Sequence, residues 1–429
     1  MEFKSSKNKG RGVWSKKQKL HILIVSQYFY PENFRINDIA TEWVKRGYKV
    51  TVVTGIPNYP IGKFFDGYGY IHRRKEQWNG IDIIRIPLIP RGNCSIGMIM
   101  NYISFAVSGF FWKQFSCIKA DLVFTFEVSP MTQALIGVWY AKKHHIPHFL
   151  YVQDLWPENV EVVAGVHNPI ILKPINYMVD YIYKNADKIF TTSPSFAKAI
   201  EGRKVLVNSN KIHYWPQYAE EFYNVKDRGV ARENLKQKSI KCLIQNDDCF
   251  KVVFTGNIGT AQGLDVLPKV AKLLLDRKIH FVIVGDGRYQ KKFESEIERY
   301  EVKERFTLIS RQPAEIIPEL LALCDVAFLS FIDTDLFAKT IPAKLQSYMA
   351  CGMVVLAAAK GETERVIKEA QCGVCVSIGD AQACADAIKV LMKTDLAVMK
   401  RNSRNYALTH FNKRKLMDEM DVFIKNELK

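Results

Sequence analysis

Cysteine gives this chain no framework. Nine cysteines are scattered along it, and Cys372-Gly-Val-Cys375 is the one close pair. No second pair of ligands follows, so a zinc site is set aside and the pair reads as buried strand cysteines in a reducing compartment. His144-His145-Ile-Pro-His148 likewise lacks partners and reads as a loop running into a strand. Acidic residues are also short: 44 Asp and Glu stand against 61 Lys and Arg, a net charge of +17. That balance implies an anionic partner, whether nucleic acid, a membrane surface or a phosphorylated substrate. No recognised nucleic-acid motif accompanies it, and outside the N-terminus the charge is dispersed, so no nucleic-acid partner is expected. No apolar core precedes Leu20, which argues against a signal peptide and for a basic flexible tail over residues 1–19. There is no short-period repeat.

What remains is ordinary globular material. The chain has 429 residues, 48% of them hydrophobic, enough for about two to three domains. Strands are expected at His21–Ser26, Tyr48–Thr54, Ile81–Ile86, Leu122–Phe126, His148–Val152, Lys188–Thr192 and Lys211–Trp215. A second series follows at Lys251–Thr255, His280–Val284, Phe306–Ile309, Val326–Ser330 and Met353–Ala358. Helical spacing fills the intervals, including Ile36–Arg46, Met131–Lys143, Ile170–Asn185, Leu264–Leu275, Arg288–Arg299, Glu315–Leu323, Pro342–Ala350 and Glu362–Lys368. Continuous apolar strands separated by helices predict an α/β chain of two doubly wound Rossmann-like domains in series. The polar stretch Glu220–Asp248 marks the boundary region, giving domains at 20–218 and 219–409, with the helix at 410–429 packing back on the first.

Gly92 to Trp112 carries no charge. Ile96, Ile99, Met100, Ile103, Val107, Phe110 and Phe111 fall on one helical face, with Gly97, Asn101, Ser104 and Ser108 opposite. Three readings stay open: a packed helix, a helix docked on a membrane interface, or a membrane span.

The chemistry concentrates in the second half. Phe254-Thr-Gly-Asn-Ile-Gly-Thr-Ala-Gln-Gly263 follows a buried strand and precedes a helix. Gly256, Gly259 and Gly263 let the backbone approach an anion, and the helix start favours negative charge. Lys344, in Ile341-Pro-Ala-Lys344, lies near another helix start, and Glu362 follows the next strand. In a doubly wound domain these turns share the carboxyl edge of the sheet. A diphosphate fits between the glycine loop and Lys344, with Glu362 accepting from hydroxyls of an attached group. The plain alternatives are a solvated lysine and a helix-capping glutamate.

These segments, with Val25-Ser-Gln-Tyr-Phe-Tyr-Pro-Glu-Asn-Phe-Arg-Ile-Asn37, Thr54-Gly-Ile-Pro-Asn-Tyr-Pro60, Gln153-Asp-Leu-Trp-Pro-Glu158, Val284-Gly-Asp-Gly287 and Gly361-Glu362, carry a resemblance over nearly the whole chain from Leu20. It resembles the retaining glycosyltransferases of family 4, with the GT-B fold. The nearest likeness is to the bacterial surface-polysaccharide branch that includes N-acetyl-L-fucosamine transferases. The resemblance implies a UDP-sugar donor in the C-terminal domain, held by Gly256, Asn257, Gly259, Gln262, Gly263, Gly285, Asp286, Arg311, Gln312, Ser347 and Glu362. It implies Lys344, Asp154 and Glu158 at the reaction centre, and Asn33, Arg35 and Asn58 toward the acceptor. Trp156 and Phe29 are candidates to stack on a sugar.

The sequence departs from the wider family in three places. The phosphate loop has neutral Asn257 and Gln262 where a cationic pair is usual. The paired glutamates spaced eight apart fall on Lys339 and Ser347. A His-Asp pair is represented by Gln153-Asp154. Lys344 therefore carries most of the charge stabilisation, and the resemblance implies no cofactor and no metal. The implied acceptor is an undecaprenyl-diphosphate saccharide of O-antigen, capsule or exopolysaccharide synthesis. The enzyme would then work at the cytoplasmic face of an anionic inner membrane. A UDP-sugar epimerase of the same fold is the alternative, and a non-catalytic scaffold is a further one.

Overall fold

The structure, a computed structural model, describes residues 19–92, 94–203, 207–237 and 248–428. The basic tail expected at 1–19 therefore lies outside the described residues except for Lys19, as do residues 238–247 of the expected boundary stretch. Two sheets carry the fold. The first contains β1 (His21–Val25), β2 (Lys49–Gly55), β3 (Lys75–Trp78), β4 (Ile81–Ile86), β5 (Leu122–Glu127), β6 (His148–Val152), β7 (Lys188–Thr191) and β8 (Ile212–Tyr214). Their order is β3-β4-β2-β1-β5-β6-β7-β8. The second contains β9 (Phe250–Thr255), β10 (Ile279–Val284), β11 (Phe306–Ile309), β12 (Val326–Ser330), β13 (Val354–Ala358) and β14 (Gly373–Val376), ordered β11-β10-β9-β12-β13-β14. Every pairing in the second sheet is parallel. In the first, β3 runs antiparallel to β4. β3 was not expected from the sequence: Lys75-Glu-Gln-Trp78 has no buried residue and pairs at the sheet edge.

The second sheet shows why continuous apolar runs mean parallel strands. Val252 and Phe254 of β9, Val326 and Phe328 of β12, and Val354, Leu356 and Ala358 of β13 join one apolar cluster. Their neighbours Val253, Ala327, Leu329, Val355 and Ala357 join another. Both faces of each strand are covered, so both residue sets must be apolar. The cysteine pair follows the expectation in part: Cys372 is buried just before β14, while Cys375, within that strand, is only partly buried.

The uncharged segment forms one helix, Ser95–Phe115, long and apolar enough to cross a membrane by length and composition. Its orientation reverses the ordinary packed reading. Asn101, Phe105, Ala106 and Gly109 are the buried residues. Ile96, Ile99, Met100, Ile103, Val107, Phe110 and Phe111 are exposed, Ile96 by 74% and Phe111 by 59%. The small and polar side is the anchored one. Asn101 Oδ1 accepts from Gln27 Nε2 at 2.7 Å, and Asn101 Nδ2 donates to the Ile89 carbonyl at 2.6 Å. Ser104 Oγ accepts the Ile89 N–H at 2.9 Å. At the other end Lys143 Nζ donates to the Lys113 and Gln114 carbonyls, each at 2.8 Å, satisfying helix-terminal acceptors.

By contacts the chain divides into Met1–Phe124 with Trp139–Ile146, and Thr125–Val138 with Pro147–Lys429. The expected boundary at 218/219 therefore falls inside one compact unit. The reason is local. In the helix Lys413–Glu427, Leu416 O accepts from Trp215 Nε1 at 2.9 Å, Phe423 meets Phe190 at 5.1 Å between ring centroids, and Glu427 lies 3.7 Å from Lys188 Nζ. These contacts tie β7, β8 and the segment after them to the chain's C-terminus.

Candidate active site

At the carboxyl ends of β9 and β10 the backbone is stripped of side chains. Gly256 (φ +130°) ends β9, and its N–H donates to the Val284 carbonyl at 2.8 Å. Gly285 (φ +149°) ends β10, where an added Cβ would lie 1.9 Å from the Gly256 carbonyl oxygen. At Gly287 the added atom would lie 2.2 Å from Ile258 O. No residue with a side chain fits there, so the two turns are bound to be glycine. Ile258 N–H donates to Asp286 O at 2.7 Å and locks them together. One 3-10 turn, Thr260–Gln262, closes on Gly263 (φ +55°) before the helix Val266–Leu273 begins. That helix starts two residues later than the spacing predicts.

Lys344 is the second residue of the helix Ala343–Ala350, whose N-cap is Pro342. Its ammonium lies 4.2 Å from the centre of the Phe254 ring and donates to Gln262 Oε1. A Cβ on Gly256 would meet its Cδ at 3.3 Å. The expected cation and the expected glycine loop thus come together, with Gln262 bridging them. Burial without a carboxylate partner pulls Lys344 down to about 7, because desolvation disfavours its charged form. Tyr348, one turn on, is buried and donates structure rather than charge: its hydroxyl accepts the Thr255 N–H at 2.9 Å.

The remaining donor candidates divide. Asp286 and Arg311 meet at 3.6 Å on the exposed rim, and Gln312 Nε2 donates to Ser310 O at 3.1 Å. Asn257 is exposed and lies against Gly259 and Gly287. Ser347 spends its hydroxyl on its own helix, donating to Ala343 O at 3.2 Å, so in this state it has no proton to offer a ribose. Glu362 is 5% exposed, and both its oxygens are engaged. Oε1 accepts from Ser195 N at 2.9 Å and Ser195 Oγ at 2.6 Å, while Oε2 pairs with Arg365 Nε at 2.8 Å. A sugar hydroxyl reaches that carboxylate only by displacing Ser195.

Asp154 follows β6. Its Oδ2 accepts the Ser129 N–H at 2.7 Å; burial raises its pKa above the usual carboxylate value, and the Ser129 hydrogen bonds oppose the rise. Glu158 opens the helix Glu158–Ala164, and its Oε2 is buried without a partner. Trp156 is 7% exposed with Nε1 donating to Ser129 Oγ at 3.0 Å, and Phe29 is fully buried. Neither ring is open to stack on a sugar; both are packing.

Among the acceptor candidates Asn33 is exposed and Arg35 is the first residue of the helix Arg35–Lys45. Asn58 is a correction: it is fully buried. Its Nδ2 donates to Ile56 O at 2.9 Å, its Oδ1 accepts from Arg91 N at 3.1 Å, and its own N–H goes to Glu32 Oε1 at 2.8 Å. It braces the loop after β2 instead of facing an acceptor. Glu32 also takes the Tyr59 N–H at 2.7 Å, and burial lifts it to about 7.

Sequence reasoning missed Ser195 and Glu127. Ser195 lies in the helix Pro194–Glu201, whose N-cap is Ser193. Ser193-Pro-Ser195 has the chemistry of a helix start, but nothing in it signals a partner far along the chain. Glu127 closes β5 with a buried carboxyl, and its only signal is an acid ending an apolar run.

Residues 33–216 match the glycosyl transferase 4-like domain and residues 236–407 the glycosyl transferases group 1. The colanic acid biosynthesis glycosyl transferase WcaI of Escherichia coli is 25% identical over 368 residues, 80% of this chain and 84% of that one. Among solved structures, sucrose-phosphate synthase of Thermosynechococcus elongatus superposes with a TM-score of 0.73 at 16% identity, over 95% of this chain and 99% of its own. HepE of Anabaena, solved in complex with UDP, gives 0.69 at 14% identity, over 95% and 100%. WaaG, a glycosyltransferase of lipopolysaccharide biosynthesis, gives 0.65 at 14% identity, over 94% and 99%. The fold is GT-B.

Proposed function

We propose that this chain, which has the GT-B fold and carries both matched glycosyltransferase domains, is a glycosyltransferase that moves a sugar from UDP to a lipid-linked diphosphate saccharide in bacterial surface-polysaccharide synthesis. The observation that carries this reading is Lys344 held against the Gly256 loop at the carboxyl edge of the second sheet. Amide hydrogens, glycine turns and one ammonium suit a diphosphate leaving group. The structure of HepE with UDP and the colanic acid role in WcaI's name support donor and pathway class.

Transfer proceeds with retention. The bond from the anomeric carbon to the diphosphate oxygen breaks, and the acceptor hydroxyl bonds to the same face. The hydroxyl proton passes to a leaving phosphate oxygen. Lys344 stabilises the developing diphosphate charge, and Asp154 steadies the acceptor or the cation-like sugar. Lys344→Ala should lower transfer by about 10²–10³-fold while the circular dichroism spectrum stays native. The assay is a screen of UDP-sugars with a synthetic undecaprenyl-diphosphate saccharide, read by mass. Turnover that stops on adding chelator, or a Lys344→Ala variant of normal rate, would overturn the mechanism.

The acceptor's lipid requires a bilayer surface, and the outward face of the helix Ser95–Phe115 suits one. No acid occurs between Asp82 and Asp121, where Arg91, Lys113 and Lys119 are the charged residues apart from Arg85, which is buried against Glu76. An apolar face rimmed by cations fits an anionic interface. Ile103→Glu with Phe111→Glu should cut binding to phosphatidylglycerol vesicles at least about tenfold, since each buried apolar side chain contributes roughly 1.5–3 kcal/mol. Soluble-acceptor activity should be unchanged. Undiminished vesicle binding would remove this face from the proposal.

A further inference from the structure

Glu127 ends β5 fully buried, and among the described residues neither of its carboxyl oxygens has a hydrogen-bond partner. Its backbone carbonyl accepts the Gln153 N–H at 2.8 Å, which sets it beside the loop that carries Asp154. The groups facing it are few. Asp154 approaches from the loop after β6, and Tyr183, whose hydroxyl is also buried without a partner, from the helix Pro169–Asn185. Beyond Tyr183 stand Arg203, Glu158 and Asp180. Arg203 is already committed: Nε to Asp180 at 2.7 Å, NH2 to Asn176 at 2.8 Å and NH1 to Trp156 O at 3.3 Å. No cation is hydrogen-bonded to Glu127.

An ionised carboxylate in that position would be buried, unpaired and next to a second carboxylate. Each circumstance favours the neutral acid. The two neighbours are not equivalent. Asp154 has the Ser129 amide on Oδ2 and keeps partial exposure, so it takes charge more readily than Glu127. Two interacting carboxyls titrate as one system, and the better-solvated member ionises first. Building on Asp154 as the carboxylate of the transfer reaction, we propose that Glu127 is a positioning residue that keeps its proton. The pair then presents a single negative charge, on Asp154, at the carboxyl edge of the first sheet. Burial first, and the charge of Asp154 second, push the Glu127 acid well above its usual range. The nearby Gln153 and Asp154 amides oppose that rise.

Two measurements on the full chain test this. The first needs no substrate: urea unfolding from roughly pH 5 to 9, on wild type and Glu127→Gln. The folded state holds a proton that the unfolded chain releases above its ordinary value near ~4.3. Wild-type stability therefore falls as pH rises, while Glu127→Gln loses that part of the slope and becomes the more stable protein at alkaline pH. The second is transfer rate against pH. Wild type should decline on the alkaline side as a second charge appears beside Asp154. Glu127→Gln should stay within about threefold at neutrality, with unchanged donor KM, and lack that decline. Superimposable stability slopes, or superimposable pH–rate profiles, overturn the proposal. A folded Glu127→Gln that is inactive at every pH also overturns it, by making Glu127 the reacting acid. The expected stability slope in a protein with no transfer activity would sink the transferase reading and leave the proton where we place it. Should Gln not fold, infrared titration of the protonated carboxyl band in wild type decides the same question.

Discussion

The carboxyl edges of the two sheets handle charge in opposite ways. On the second sheet the edge is made by removing side chains: Gly285 lies too close to the Gly256 carbonyl, and Gly287 too close to the Ile258 carbonyl, for any Cβ, and the Lys344 ammonium stands against Gly256. On the first sheet the edge is made of carboxyls, Glu127 and Asp154, with an amide from Ser129. Burial pushes both edges toward neutrality, lowering Lys344 and raising Glu127. The lesson is that neither edge carries its full formal charge before a ligand arrives. Under the proposed function a diphosphate would recharge Lys344, and Asp154 alone would supply the anion that steadies a cation-like sugar.

The largest effect that would break this contrast is a side chain on the stripped edge. Gly285→Ala puts a methyl 1.9 Å from the Gly256 carbonyl in a φ of +149°. The two turns must part, at a cost of about 2–3 kcal/mol in stability. UDP binding measured by calorimetry should disappear. Retained UDP affinity would mean that the nucleotide does not use these turns.

Next in size is the pH dependence of UDP binding. The free protein holds Lys344 at about 7 because burial disfavours its charge. A bound diphosphate favours the ammonium, so binding takes up a proton wherever the free lysine is neutral. The terminal phosphate is already ionised above roughly pH 6–7. Affinity should therefore fall as pH rises above about 7, by up to about tenfold per unit. In calorimetry this appears as a buffer-dependent enthalpy. Lys344→Met should bind UDP more weakly and without that dependence. The substitution should also stabilise the ligand-free fold at neutral pH, since it removes a charge that folding desolvates.

Much of this was legible in the sequence, for reasons that differ along the chain. The centre of the second sheet was readable because both faces are buried, so β12 occurs as expected at Val326–Ser330; the part-exposed edge strand β11 also occurs as expected at Phe306–Ile309. Glycines and Lys344 were readable because only those residue types perform those tasks. The helix Ser95–Phe115 shows where periodicity stops informing. The helix Arg35–Lys45 buries Ile36, Ile39, Ala40 and Trp43 and turns Asp38, Glu42 and Lys45 outward; its charges mark the water side. Ser95–Phe115 has no such mark over its apolar stretch, so two faces were evident but not which one the protein covers. Asn58 failed for a related reason: a polar residue after a strand reads as a ligand, and nothing local reveals that Ile56, Arg91 and Glu32 satisfy it. Glu127 and Ser195 depend on contacts between distant segments, which no spacing encodes.

The smallest predicted effect sharpens the contrast most, because it asks what Glu362 is for. Its Oε1 is shared between the Ser195 amide at 2.9 Å and the Ser195 hydroxyl at 2.6 Å. Ser195→Ala removes the hydroxyl and leaves the amide, freeing acceptor capacity without unpairing the carboxylate from Arg365. If Glu362 receives donor-sugar hydroxyls, the serine is their competitor. Donor KM should then fall about two- to fivefold, the worth of one hydrogen bond of roughly 0.5–1 kcal/mol. UDP affinity should not move, because UDP has no sugar to offer that oxygen. If Glu362 only braces the helix Pro194–Glu201, donor KM and UDP affinity both stay put and the substitution costs about 1 kcal/mol of stability instead. The ratio of the two affinities separates a binding carboxylate from a structural one, and it does so in a variant whose fold is hardly disturbed.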